Sequence, residues 1–95
     1  MKKDLKITYL KKSKKFLDKQ SVISETDVDE LVIKFVKRHF YGADTNIDYR
    51  ALQGNLRDFF RIRKGGIRII IRVTNGEILI EAIVEDIGFR GDIYK

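Results

Sequence analysis

Apolar and polar positions repeat with two different periods along this chain, and the switches between them outline a fold. Leu5, Ile7 and Tyr9 alternate with Lys6 and Thr8, the period-two pattern of a short strand with one buried face. From Leu10 to Gln20 the period lengthens. Phe16 and Leu17 follow Leu10 by about two helical turns, among Lys11, Lys12, Lys14, Lys15 and Lys19, which predicts a short, strongly basic helix. A charge run on a helix is usually a solvated face, so those lysines rank below the arginines discussed next as ligand contacts. The second helix is written more clearly: Val28, Leu31, Val32, Phe35, Val36 and Phe40 recur at spacings of three and four and form one apolar stripe. Ser24 or Thr26 caps its start, while Asp27, Asp29 and Glu30 suit the positive end of the helix dipole. Lys37 and Arg38 suit the negative end, Gly42 is the stop, and a polar connector runs from Ala43 to Asp48. His39 falls in the last turn, where the dipole gives it a structural rather than a catalytic role.

Beyond Leu56 the pattern becomes a meander. Strands are predicted over Phe59 to Lys64, Ile67 to Val73 and Glu77 to Glu85, joined at Gly65-Gly66 and Asn75-Gly76, dipeptides that tolerate the positive φ of tight hairpin turns. A two-residue loop at Gly65-Gly66 pairs Arg63 with Arg68, Ile62 with Ile69, Arg61 with Ile70 and Phe60 with Ile71. Partners share a face, so Phe60, Ile62, Ile69 and Ile71 look toward the second helix, and Arg61, Arg63, Arg68 and Arg72 look away from it. Arginine directly opposite arginine is unfavourable in isolation, which points to an anion as the missing partner. The same reasoning through Asn75-Gly76 pairs Ile70 with Glu81 and Arg68 with Ile83. Glu81 is then expected diagonal to Arg68 and Arg72, with no carboxylate for Arg61 or Arg63. The expected fold class is α+β: an N-terminal strand, two helices, then a C-terminal antiparallel three-stranded meander completing a single sheet.

Composition narrows the function. At 95 residues the chain is expected to be one domain, 1–95, with room for one modest core. Lysine and arginine number 20 against 14 acidic residues, a net charge of +6 that favours polyanionic or acidic partners. Cysteine is absent, which excludes disulfides, thiol nucleophiles and zinc–thiolate sites and suits a reducing cytoplasm. A single histidine and no tight group of carboxylates give no basis for a metal site, and no cofactor is expected. No apolar run long enough for a signal peptide or membrane span is present, so the expectation is a cytoplasmic protein with no membrane partner.

Four blocks in order, Leu52-Gln53-Gly54-Asn55-Leu56, Phe60-Arg61-Ile62-Arg63, Gly66-Ile67-Arg68-Ile69-Ile70 and Ile87-Gly88-Phe89-Arg90-Gly91-Asp92-Ile93-Tyr94, resemble the RelE/ParE toxins of prokaryotic type II toxin–antitoxin pairs. The resemblance is close over the C-terminal half; the N-terminal half agrees in its strand, helix, helix order. It implies a RelE-like domain that cleaves mRNA in the ribosomal A site without a metal, by attack of the RNA 2′-hydroxyl, and is neutralised by an acidic cognate antitoxin. Carried over by position, Arg61, Arg63 and Arg68 match the family's basic strand residues, and Arg90 and Tyr94 its C-terminal pair. Two positions depart from the pattern. Ile67 stands where many relatives have tyrosine and Phe89 where many have histidine, which implies either lower activity or an acid/base role moved to another residue. The chain also ends one residue after Tyr94, without the additional helix of some relatives. A ParE-like inhibitor of DNA gyrase and a catalytically degenerate RNA- or antitoxin-binding module are the alternatives.

Overall fold

A computed structural model of the chain describes residues 2–54 and 57–89. In order these form β1 (Asp4–Tyr9), α1 (Lys11–Lys19), α2 (Glu25–Tyr41), β2 (Asp48–Ala51), β3 (Phe59–Lys64), β4 (Ile67–Asn75) and β5 (Leu79–Phe89). The strands make one five-stranded sheet in the order β1-β5-β4-β3-β2. β1 runs parallel to β5 and every other pairing is antiparallel. The α+β class and both helices are as the sequence predicts. The additional strand is β2, which falls where the chain reads as the end of a polar connector.

The apolar stripe of α2 makes the core. Val28, Leu31, Val32, Phe35 and Val36 are buried against Phe60, Ile62, Ile69, Ile71, Ile80, Ala82 and Val84 of the sheet. Each such side chain removed from water contributes about 1.5–3 kcal/mol before the entropy of ordering is counted. Of the two possible caps the chain uses Ser24: its Oγ accepts from Asp27 N at 3.1 Å, and the Asp27 carboxylate accepts from Ser24 N at 3.0 Å. The Ser24 N–H is also what holds the Asp27 carboxyl below its ordinary pKa. Gly42 ends the helix in the left-handed region at φ 68°, donating to Arg38 O while Ala43 N donates to Lys37 O. α1 is anchored to the sheet by a buried serine, Ser13, whose Oγ donates to Val84 O at 3.0 Å.

The β3–β4 register is the predicted one: Arg63 opposite Arg68, Ile62 opposite Ile69, Arg61 opposite Ile70, Phe60 opposite Ile71. Gly65 takes φ 57° at the first loop position, the requirement of a tight hairpin turn with a positive first residue. The β4–β5 register differs from the prediction. Asn75 pairs with Ile80, so four residues rather than two lie between the paired ends, and the turn is closed by Gly76 N donating to Leu79 O at 2.9 Å. A Cβ on Gly76 would stand 2.8 Å from that same oxygen, so this close approach requires glycine. Ile78 goes to the loop tip, 82% exposed, instead of into a strand. Glu81 therefore faces Thr74 rather than Ile70, Arg68 faces Gly88 rather than Ile83, and β5 begins later and runs further than Glu77 to Glu85.

A bulge corrects the phase of β5 on the way. Ile71 pairs with Val84 but Ile70 with Asp86, leaving Glu85 as the extra residue. Without it Asp86 would enter the core and Ile87 would point outward. With it Ile87 is buried and Asp86 and Gly88 lie on the face opposite the helices.

Candidate nucleic-acid interface

The side of the sheet away from the helices is built by period-two alternation from four strands. β3 contributes Phe59, Arg61 and Arg63, and β4 contributes Arg68, Ile70 and Arg72. β2 adds Asp48 and Arg50, because Asp48 pairs with Arg63 and Arg50 with Arg61. Two cross-strand rows result: Asp48, Arg63, Arg68, Gly88 and Arg50, Arg61, Ile70, Asp86. Each row contains arginine directly opposite arginine, an arrangement that costs roughly 0.2–1 kcal/mol per pair relative to neutral neighbours.

The acidic residues of this face are distributed unevenly. The Asp48 carboxylate lies 3.3 Å from Arg63 Nε, so Arg63 does have a carboxylate neighbour, contrary to the expectation from sequence. The reason is that this partner comes from the unpredicted strand β2. Glu81, expected beside Arg68 and Arg72, instead lies 4.0 Å from Lys6 on β1. Arg72 meets the bulge residue Glu85 at 3.7 Å and extends over the Phe59 ring, 5.9 Å from its centroid. Asp86 is drawn to the edge by Lys12 of α1 at 3.5 Å.

Arg61, Arg63 and Arg68 are thus brought together on one face. Arg90 and Tyr94 lie outside the described residues. The three strand arginines are not equivalent: Arg61 is 7% exposed, whereas Arg63 and Arg68 are half-buried and Arg50 and Arg72 are open to solvent. Arg61 therefore acts as a charge beneath the surface more than as a projecting fork. Two face residues were missed in the sequence, Asp48 and Arg50. Their signal was present in Ile47, Tyr49 and Ala51, which alternate with them at period two across the end of the polar connector and the residues just beyond it.

His39 lies on the other side of the sheet, as its structural reading requires. Its ring stacks on Phe35 with centroids 5.3 Å apart, and its Nδ1 is 3.1 Å from the Tyr49 hydroxyl. A hollow of about 360 Å³ lined by Ile23, Leu31, Lys34, Lys64 and Ile67 is also on the helix side, away from the arginines. Phe89 is 40% exposed at the end of β5 and packs edge-on against Phe16 of α1, centroids 5.3 Å apart. Among the described residues no three metal-ligating side chains converge, and no helix is long and apolar enough to cross a membrane.

No family model and no curated protein matches the chain by sequence. Its fold does match solved structures over nearly its whole length. A copper-bound mutant toxin from Helicobacter pylori superposes with a TM-score of 0.68 at 19% identity, covering 95% of this chain and 99% of that one. The RelB–RelE antitoxin–toxin complex from Methanococcus jannaschii gives 0.56 at 19% identity, over 92% and 94%. The archaeal RelE–RelB complex from Pyrococcus horikoshii gives 0.55 at 21% identity, over 97% and 99%. The chain has the fold of the RelE-like toxins.

Proposed function

We propose that the protein is the toxin of a type II toxin–antitoxin pair, a ribosome-dependent mRNA endoribonuclease of the cytoplasm that an acidic antitoxin neutralises. The observation that carries this reading is the pair of arginine rows on the open face of a RelE-like fold. An open sheet face bearing planar, permanently charged forks suits a polyanionic strand better than an enclosed pocket does. The two RelB–RelE complexes among its structural neighbours support an antitoxin as partner.

Cleavage by the RNA's own 2′-hydroxyl needs a positioned nucleotide, an acceptor for the hydroxyl proton, stabilisation of charge on the phosphorane-like transition state and a donor to the leaving oxygen. Arginine fits the third task. In this mechanism Arg68 and Arg90 grip the scissile phosphate, Arg61 adds its field from below, Arg63 orients the substrate or assists proton transfer, and Tyr94 stacks on or hydrogen-bonds to the RNA. The 2′-oxygen bonds to phosphorus as the bond to the 5′-oxygen breaks, leaving a 2′,3′-cyclic phosphate and a 5′-hydroxyl.

The test is to incubate the protein with programmed ribosomes and map both ends of the cut. A 2′,3′-cyclic phosphate with a 5′-hydroxyl is expected. A 5′-phosphate product would exclude the mechanism, and an uncut message would exclude the ribonuclease. Arrest of DNA replication ahead of translation in induced cells would transfer the reading to a gyrase inhibitor.

A further inference from the structure

Strand register sets Asp48, Arg63 and Arg68 side by side on three neighbouring strands, roughly 4.8 Å from one to the next. The fourth position of the row is Gly88, which brings no side chain, so the row reads carboxylate, guanidinium, guanidinium, glycine. The carboxylate meets Arg63 at Nε, one edge of the fork by which an arginine grips two phosphate oxygens. We propose that this row is a seat for one phosphodiester of a single-stranded RNA, and that Asp48 is its resting occupant, displaced when RNA binds.

Three features make displacement feasible. A carboxylate and a phosphodiester present the same charge and the same oxygen pair to a guanidinium, so they compete for one position. The Asp48 side chain is 58% exposed and that of Arg63 29%, so their contact has the strength of a surface ion pair and yields to a better-held anion. Asp48 also stands on β2, the end strand of the sheet, where the released carboxylate can turn into water. The other acidic residues of the face have different cationic neighbours, Lys6 for Glu81, Arg72 for Glu85 and Lys12 for Asp86. Asp48 is thus the carboxylate that meets Arg63 in this seat, and it lowers the affinity of the resting face for RNA.

This rests on the RNA-grip part of the proposed function, not on cleavage, and the experiment separates the two. Fluorescence anisotropy would measure binding of a short 2′-O-methyl RNA, which lacks the attacking hydroxyl, and of a single-stranded DNA of the same sequence, over a series of salt concentrations. Asp48→Asn and Asp48→Ser should each bind about two- to fivefold tighter, equivalent to ~0.4–1 kcal/mol. The slope of log affinity against log salt should stay close to that of the wild type, because the bound complex makes the same phosphate contacts once Asp48 has turned aside. In an Arg63→Gln background the same substitutions should change little. Unchanged or weaker binding in both Asp48 variants would overturn the seat. So would a gain that survives intact without Arg63, since that would be a general charge effect. A gain on either oligonucleotide supports the seat, and the larger one identifies its ligand. Failure to cleave mRNA would leave these binding results standing and would count against the ribonuclease alone.

Discussion

Replacing Arg63 and Arg68 together by glutamine should flatten the salt dependence of RNA binding, whereas removing three lysines from α1 should not. The two arginines occupy the centre of one cross-strand row on adjacent strands, both half-buried and both on the open face. If each contacts one phosphate of a single strand, each contributes about 0.7 to the slope of log affinity against log salt, so their loss lowers the slope by roughly 1.4. Between about 50 and 200 mM salt, a fourfold range, wild-type affinity should then fall about sevenfold more than that of the double variant. Lys11, Lys15 and Lys19 are exposed on α1, and substituting all three removes more charge than the double variant does. Net charge predicts the larger effect from the lysines; the location of the arginine face predicts it from the arginines. Titrations of a non-cleavable single-stranded RNA at four or more salt concentrations give both slopes. A flattened slope in the lysine variant with an unchanged one in the arginine variant would place RNA on the basic helix and refute the interface.

Two further outcomes test the scaffold. Tyr9 donates to the Asp29 carboxylate at 2.6 Å, and burial, reinforced by that hydrogen bond and the nearby negative charges, pushes its hydroxyl well above the ordinary tyrosine range. A raised folded pKa stabilises below the unfolded value near ~10 and loses that contribution as pH rises past it, so Tyr9→Phe should lower stability at neutral pH by about 0.5–1.5 kcal/mol and meet the wild-type curve at alkaline pH. Denaturant unfolding at several pH values checks this, and a constant difference up to pH 11 would contradict it. Gly42→Ala should cost about 1–2 kcal/mol in the same assay, because nothing lies within 4 Å of the added methyl and only the left-handed φ of 68° opposes it.

How far the fold could be read from the sequence depended on how many residues carried each signal. α2 repeats its apolar stripe over four turns with a cap at each end, and Gly65-Gly66 fixes a hairpin whose inward rungs Phe60–Ile71 and Ile62–Ile69 are apolar on both strands. β2 has four residues and one substantial inward side chain, Tyr49, so its period was too short to stand out from a connector. That omission concealed one of the four positions in each arginine row. At Asn75-Gly76 the dipeptide marked a turn correctly, but loop length depends on the close approach of Gly76 N to Leu79 O, a contact of the folded backbone that a dipeptide preference does not encode. Arg90 and Tyr94 were named from family resemblance, and the described residues end at Phe89, before both of them.

The β5 bulge shows how the core and the interface constrain one another. Val84, Glu85, Asp86 and Ile87 place two acidic residues between two inward-facing apolar ones, a spacing of three that a flat period-two strand cannot satisfy. The sheet has to absorb one residue, and doing so at Glu85 keeps both Val84 and Ile87 in the core. The same one-residue shift turns Gly88 outward beside Arg68 and places Glu85 against Arg72. A regular strand that kept Glu85 would send Asp86 inward opposite Ile69 and put Ile87 beside Arg68, damaging the core and the face together, whereas deleting Glu85 would close the bulge and keep Asp86 opposite Ile70 and Ile87 opposite Ile69. The like-charged rows behave differently. Substitutions at Arg50, Arg63 or Arg68 leave the inward residues of the same strands untouched, because alternate residues of a strand serve opposite faces. A face that makes no demand on the core can retain opposed arginines at a cost of roughly a kcal/mol or less per pair, and an anion bound between them removes that cost.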